Sequence, residues 1–235
     1  MNTIIARNRF SSLAIAAVAA VTVVSFARTY YLKFLFGLPP LTLAAHLHGL
    51  LATAWLVLHY TQARLIAARR VELHKRLGIL TACVGAVLAV QAFHVAVAGV
   101  AAGHAPPGRD PLQFLSAPMG TITMFSLFLA SALVLRKKRD WHKRFMFLAS
   151  LSLILPAAGR LDSLIMVPMG LPRAVLGFWL SFAFVAWAWA NDWRKSGRIH
   201  PAYIYGGIVL LVSLPLRRAI GFTDAWIPVA RWLIE

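Results

Sequence analysis

Seven stretches of roughly twenty mostly apolar residues follow one another along this chain, near 10–30, 41–63, 77–101, 112–135, 145–167, 174–193 and 202–221. About twenty such residues in a helix cross the ~30 Å hydrocarbon core of a bilayer. In lipid every backbone N–H and C=O must be bonded internally, which leaves helices or closed barrels. The ten-residue alternation of a membrane barrel is missing. The sequence therefore predicts an all-α, polytopic transmembrane helix bundle of about seven spans, a single membrane domain over residues 1–235. Composition agrees, with 60% hydrophobic and 13% charged residues, where soluble domains hold roughly 45–50% and 25%. Breakers separate the runs at Gly37, Pro39 and Pro40, at Pro106, Pro107 and Gly108, and at Pro168, Gly170 and Pro172.

The two ends are read with alternatives. Arg7 and Arg9 ahead of an apolar run ending in Ser25, Phe26 and Ala27 also fit a signal peptide, whose cleavage leaves six spans. The seventh run is the weakest, interrupted by Pro215, Arg217 and Arg218, and residues 226–235 read as a short amphipathic piece on the outer surface.

A net charge of +17 would direct a soluble protein toward nucleic acid. In a multi-pass membrane protein, Lys and Arg instead gather in cytoplasmic loops. With seven spans, one side carries 16 of the 24 basic residues: Arg7, Arg9, the cluster from Arg64 to Arg76, the cluster from Arg136 to Arg144, and Arg194 to Arg198. This places the chain in the bacterial inner membrane with its N-terminus cytoplasmic and its C-terminus outside. The single cysteine, Cys83, excludes an intramolecular disulfide and a Cys-based cluster. No nucleophile elbow, His-Glu-x-x-His helix or Walker loop occurs, and seven acids leave little for paired-carboxylate chemistry.

One loop recurs. Arg70-Val-Glu-Leu-His74-Lys75-Arg76 returns as Lys138-Arg-Asp-Trp-His142-Lys143-Arg144, with an acid two residues before each His and Lys-Arg after it. Each copy joins an inward-running segment to an outward-running one, which suggests repeated helical hairpins. These loops read as basic anchors on anionic lipid, or as sites where His74 and His142 bind ligands or carry protons.

Ionisable groups at bilayer depth mark functional sites when they converge. In the assumed topology, His46, His48, His94, Arg160, Asp162 and Arg217 all fall in the outer half, with Gln91 on the face of His94. His48 and His59 lie eleven residues apart, three helical turns, so they share a face with Trp55 and Gln62 and stand about 16 Å apart. His46 is turned about 200° from His48, which argues against a compact zinc site. Each polar residue taken singly also reads as a packing hydrogen bond or a snorkelling arginine.

The stretch His46-Leu-His48 through Trp55, His59 and Gln62, followed by His74-Lys75-Arg76-Leu77-Gly78, resembles a set of uncharacterised bacterial multi-pass membrane proteins with a domain of unknown function. The layout is also distantly similar to di-haem membrane cytochromes of the b type. That likeness implies haem b for electron transfer, with His46 or His48 opposite His94 as iron ligands, Arg160 and Arg217 on the propionates, and His59 as one inner ligand without a partner. Such a protein would serve a membrane redox partner or assemble as a homo-oligomer. Two other readings stand beside it. Pro156, Gly159 and Pro215 favour irregular helices around a site for a small anion or hydrophobic molecule, as in a transporter or binding protein. A non-catalytic membrane subunit or assembly factor would use the polar layer only for packing.

Overall fold

A computed structural model describes residues 2–171 and 175–235, with side chains from Phe10 onward at the N-terminus. The breaker Pro172, the start of the run at 174, and the side chains of Arg7 and Arg9 lie outside the described residues. All regular structure among the described residues is helical. The helices are α1 (Asn2–Phe26), α2 (Leu43–Ala67), α3 (Val71–Ala101), α4 (Pro111–Val134), α5 (Arg139–Ser152), α6 (Ile154–Leu161), α7 (Val175–Ser196), α8 (Pro201–Gly221) and α9 (Trp226–Ile234).

Local chemistry sets the helix starts. Thr42 and Asp110 stand just ahead of α2 and α4 and accept from the backbone N–H of Ala45 (3.2 Å) and Gln113 (2.9 Å), the capping bonds that free helical N–H groups need. Pro111 and Pro201 open α4 and α8, where a missing N–H costs nothing.

Packing forms a ring around one axis. α1, α2, α3, α4, α8, α7 and α6 each touch the next, and α6 closes the ring on α1. α5 runs inside it, against α1, α4, α7 and α8. Every residue from Met146 to Ser152 is buried, as befits a helix with neighbours on all sides. Of the apolar stretch within 139–166, 61% is buried, against 17–28% for the four other helices long and apolar enough to cross a membrane. α8 approaches through Gly206 and Gly207, where a Cβ would strike Leu148 of α5 and stand 2.9 Å from Val185 of α7. Small residues of this kind let membrane helices close on one another.

Pro156 explains why α5 does not simply continue. It has no N–H for the carbonyl of Ser152, and the helix breaks at Leu153, whose own N–H turns to Ser150 at 3.2 Å. The chain then leaves the axis as α6 and enters the ring between α1 and α7. α8 runs on through Pro215 to Gly221 without a break, so the seventh run forms a full helix. α9 packs on α4 and α3 around Val100, Leu115 and Ala230, with Trp226 Nε1 donating to Leu112 O at 2.8 Å.

The outer face of the ring is apolar. Ile79, Val90 and Val57 are 71%, 70% and 58% exposed, far beyond what a soluble monomer leaves to water over so broad an area. The chain is an all-α bundle of a multi-pass membrane protein. Cys83 is exposed on that face, midway along α3. In sealed vesicles it is expected to react with an apolar, permeant maleimide and to resist a charged methanethiosulfonate; labelling by the charged reagent would place this face in water.

Candidate functional site

The kink at Pro156 delivers Arg160 to a cavity of about 150 Å³ between α1, α2, α3 and α6. Its lining surface is largely apolar, with Phe26, Leu41, Ala52, Leu56 and Val95, but half of the lining residues carry a polar group: Thr22, Thr29, Tyr30, Tyr31, His48, Thr53 and Arg160. Widened helical turns flank it on two sides. Leu32 N bonds to Ala27 O at 2.7 Å, and Val167 N bonds to Asp162 O at 2.9 Å, both i→i+5 pairs of the kind often found beside functional sites.

The Arg160 guanidinium lies 3.8 Å above the Phe26 ring. Its Nη1 donates to Pro156 O at 2.9 Å and its Nε to Thr29 Oγ1 at 3.3 Å. Among the described residues no carboxylate lies within ion-pair distance of it. His48, three turns above His59 on α2, is half-buried, and its Nδ1 is enclosed without a hydrogen-bond partner. Tyr31 and Thr53 hydroxyls meet at 2.8 Å across the α1–α2 side. Among the described residues, an exposed guanidinium with no carboxylate partner and a half-buried imidazole with an unsatisfied Nδ1 thus line one cavity.

The other residues expected in this layer do different work. His46 is exposed beside the Tyr30 ring, and Tyr30 donates to its carbonyl at 3.2 Å. His94 is exposed on α3 and only its neighbour Val95 reaches the cavity. Gln91 Nε2 donates to Ala44 O at 3.0 Å, tying α3 to α2. Asp162 is buried and accepts from Leu176 N at 3.1 Å, joining the end of α6 to α7. Arg217 is buried between α8 and α4, donating to Ser213 O, Ser213 Oγ and Thr121 Oγ1. Two axial imidazoles on one haem must face the same cavity. His48 lines it without His46 or His94, and its volume falls below the ~300–1,000 Å³ typical of drug-sized ligands. These residues do not fit a bis-histidine haem here.

Both repeated loops lie at the far ends of the hairpins. Their acids pair with their own lysines, Glu72 with Lys75 at 2.8 Å and Asp140 with Lys143, while Arg76 is exposed. Arg144 turns inward. Its Nε and Nη2 grip both oxygens of Asp192 on α7 at 2.9 and 2.8 Å, and Nη1 donates to Asp140 O at 2.8 Å. The Arg144 and Asp192 side chains are only 8% and 7% exposed, in the planar two-bond arrangement peculiar to arginine. Asp192 also accepts from the backbone N–H of His200 at 3.2 Å. His200 in turn caps α8, its Nδ1 accepting from Ala202 N at 3.1 Å. Asp192 was missed in the sequence, although an acid in the last turn of an apolar helix is itself a signal.

Burial, and next the Arg144 charge, lower the His200 pKa from its ordinary 6.5, against partial opposition from Asp140 and Asp192. Protonation is thus easier in the unfolded chain, so this group's stabilisation is complete above about pH 6.5 and declines as pH falls below it. His200→Asn keeps a capping acceptor that does not titrate. Its thermal midpoint relative to wild type is expected to rise as pH falls from 8 to 5; a constant difference would remove His200 from the pH response.

No family model, curated protein or solved structure matches this chain.

Proposed function

We propose that this protein crosses the bacterial inner membrane seven times, N-terminus cytoplasmic and C-terminus outside, and binds or carries a small anion in the His48–Arg160 cavity. α2 and α7, with 25 and 22 residues, are long enough to span, and the 16-to-8 division of basic residues supports the orientation. The exposed loop cations Lys75 and Arg76, together with Arg139, then meet anionic headgroups on the inner leaflet.

The observation that carries the binding reading is Arg160, a guanidinium with no carboxylate beside it among the described residues, at a cavity that holds an unsatisfied His48 Nδ1. Arg160 is exposed at the rim of this cavity, where its guanidinium offers an entering anion a charge-assisted hydrogen bond. The apolar part of the wall, with Leu56 and Val95, suits hydrocarbon. A short-chain monocarboxylate meets both demands, its oxygens on Arg160 and its tail against Leu56 and Val95. Haem b draws support from His48 alone.

The test is the thermal midpoint of the detergent-purified protein in sodium acetate, butyrate and gluconate at matched ionic strength. Ligands that bind only the folded state raise the midpoint by mass action. Acetate and butyrate are expected to stabilise, and gluconate, too large and polar for the cavity, is not. Equal shifts with all three, or none, would overturn the reading.

A further inference from the structure

Two arginines line one small notch at the end of the bundle opposite the repeated loops, Arg109 from the segment before α4 and Arg218 from the last turn of α8. Gln113 and Ser116 add polar groups to the lining, Phe114 and Phe222 add aromatic rings, and no carboxylate lines it among the described residues. The volume is about 30 Å³. One water needs roughly 10–15 Å³ of such space, so the notch takes two oxygens of a group that continues outside it.

Local chemistry fixes both sides. Pro106-Pro107-Gly108-Arg109 closes a turn through Arg109 N and Pro106 O at 3.1 Å, with a proline and a positive-φ glycine (+77°) in the two central places. Asp110 follows at once as the cap of α4, its Oδ1 accepting from Gln113 N at 2.9 Å. Arg109 is thereby held between a turn and a cap. On the other side, Gly221 lets the end of α8 close on α4, since a Cβ there would strike Ser116 and the Gln113 carbonyl. Arg218 is exposed and, among the described residues, forms no ion pair. Asp224, six residues further on, is exposed and does not line the notch.

We propose that Arg109 and Arg218 bind the phosphodiester of a phospholipid in the leaflet at this end of the bundle, the outer one in the orientation given above. A guanidinium only donates and keeps its charge, and phosphate oxygens suit its planar fork. Two such groups facing one phosphodiester favour a headgroup without a cation of its own, which is phosphatidylglycerol rather than phosphatidylethanolamine. The apolar rim favours a lipid over free phosphate. Phe222 is 59% exposed, and Leu216 and Ile220 near the end of α8 are exposed as well, a surface for acyl chains to cover. None of these residues belongs to the anion cavity.

The test is native mass spectrometry of the full chain, stripped of lipid in mild detergent and titrated with dioleoyl phosphatidylglycerol. Wild type is expected to hold one more lipid than Arg109→Gln/Arg218→Gln once the site is filled. Each single change is expected to weaken that one step about tenfold, the loss of a charge-assisted bond. Arg160→Gln is expected to match wild type, which separates this site from the anion cavity. Equal lipid counts and affinities in wild type and the double variant would overturn the proposal. So would displacement of that lipid by an equal concentration of inorganic phosphate, the behaviour of a free-phosphate site. If Arg109→Gln fails to fold, the exposed Arg218→Gln decides alone.

Discussion

Replacing Asp192 with Ala is expected to destabilise the bundle by about 3–5 kcal/mol, the usual cost of stranding one member of a buried ion pair. Arg144 is 7% exposed and gives two of its donors to that carboxylate. Without it the guanidinium keeps only the Asp140 contacts and the Tyr203 ring, 5.3 Å from its centre. Asp192 also holds the His200 N–H, so the loss spreads from α5 and α7 into the start of α8. Asp192→Asn keeps the shape and part of the hydrogen bonding and is expected to fall between. The double change Arg144→Met with Asp192→Leu removes both charges and is expected to recover most of the loss, since apolar replacement of a buried pair is often neutral. Unfolding midpoints of the four proteins form a double-mutant cycle. A cost below about 1 kcal/mol for Asp192→Ala, the range of exposed pairs, would show that water reaches this pair.

Trp55→Ala is expected to be comparably damaging, about 3–5 kcal/mol. The indole is fully buried, meets Phe125 edge-on at 5.0 Å and donates from Nε1 to Ser150 Oγ at 3.0 Å. Ser150 is the hydroxyl that also holds His59 Nδ1, so the truncation removes packing and leaves a polar atom of the central helix short of a partner. Gly85 makes the space for this ring. A Cβ there would stand 2.7 Å from Trp55 and 2.8 Å from Leu129. Gly85→Ala alone is therefore expected to destabilise, and to be milder beside Trp55→Ala, which vacates the volume. Additive costs, measured by the same unfolding midpoints, would mean that the two residues do not share that space.

Periodicity made some of this legible. The face shared by His48, Trp55, His59 and Gln62 is the buried or cavity face of α2, because 3.6 residues per turn fixes which side chains align on one helix. The irregular helix around Pro156 was also readable, since a missing N–H breaks a known bond. The same rule overstated Pro215, where α8 continues because packing on α4, α5 and α7 holds it. Counting residues gives a position along each helix, but not the rotation of that helix about the bundle. His48, His94, Arg160 and Arg217 stand at similar depth by sequence, yet only His48 and Arg160 share a cavity. Arg217 faces Thr121, and His94 faces outward. The Arg144–Asp192 pair spans 48 positions and depends on which helices are neighbours, a property that no local pattern encodes.

Direct binding of ¹⁴C-butyrate to the purified protein, by equilibrium dialysis, tests the anion site most squarely. Wild type is expected to hold one butyrate per chain saturably. Arg160→Gln, which removes a charge-assisted bond of roughly 1.5–3 kcal/mol, is expected to weaken that binding by about tenfold or more. Saturable binding of equal strength in both proteins, or none in wild type, would contradict a role for Arg160 in holding an anion.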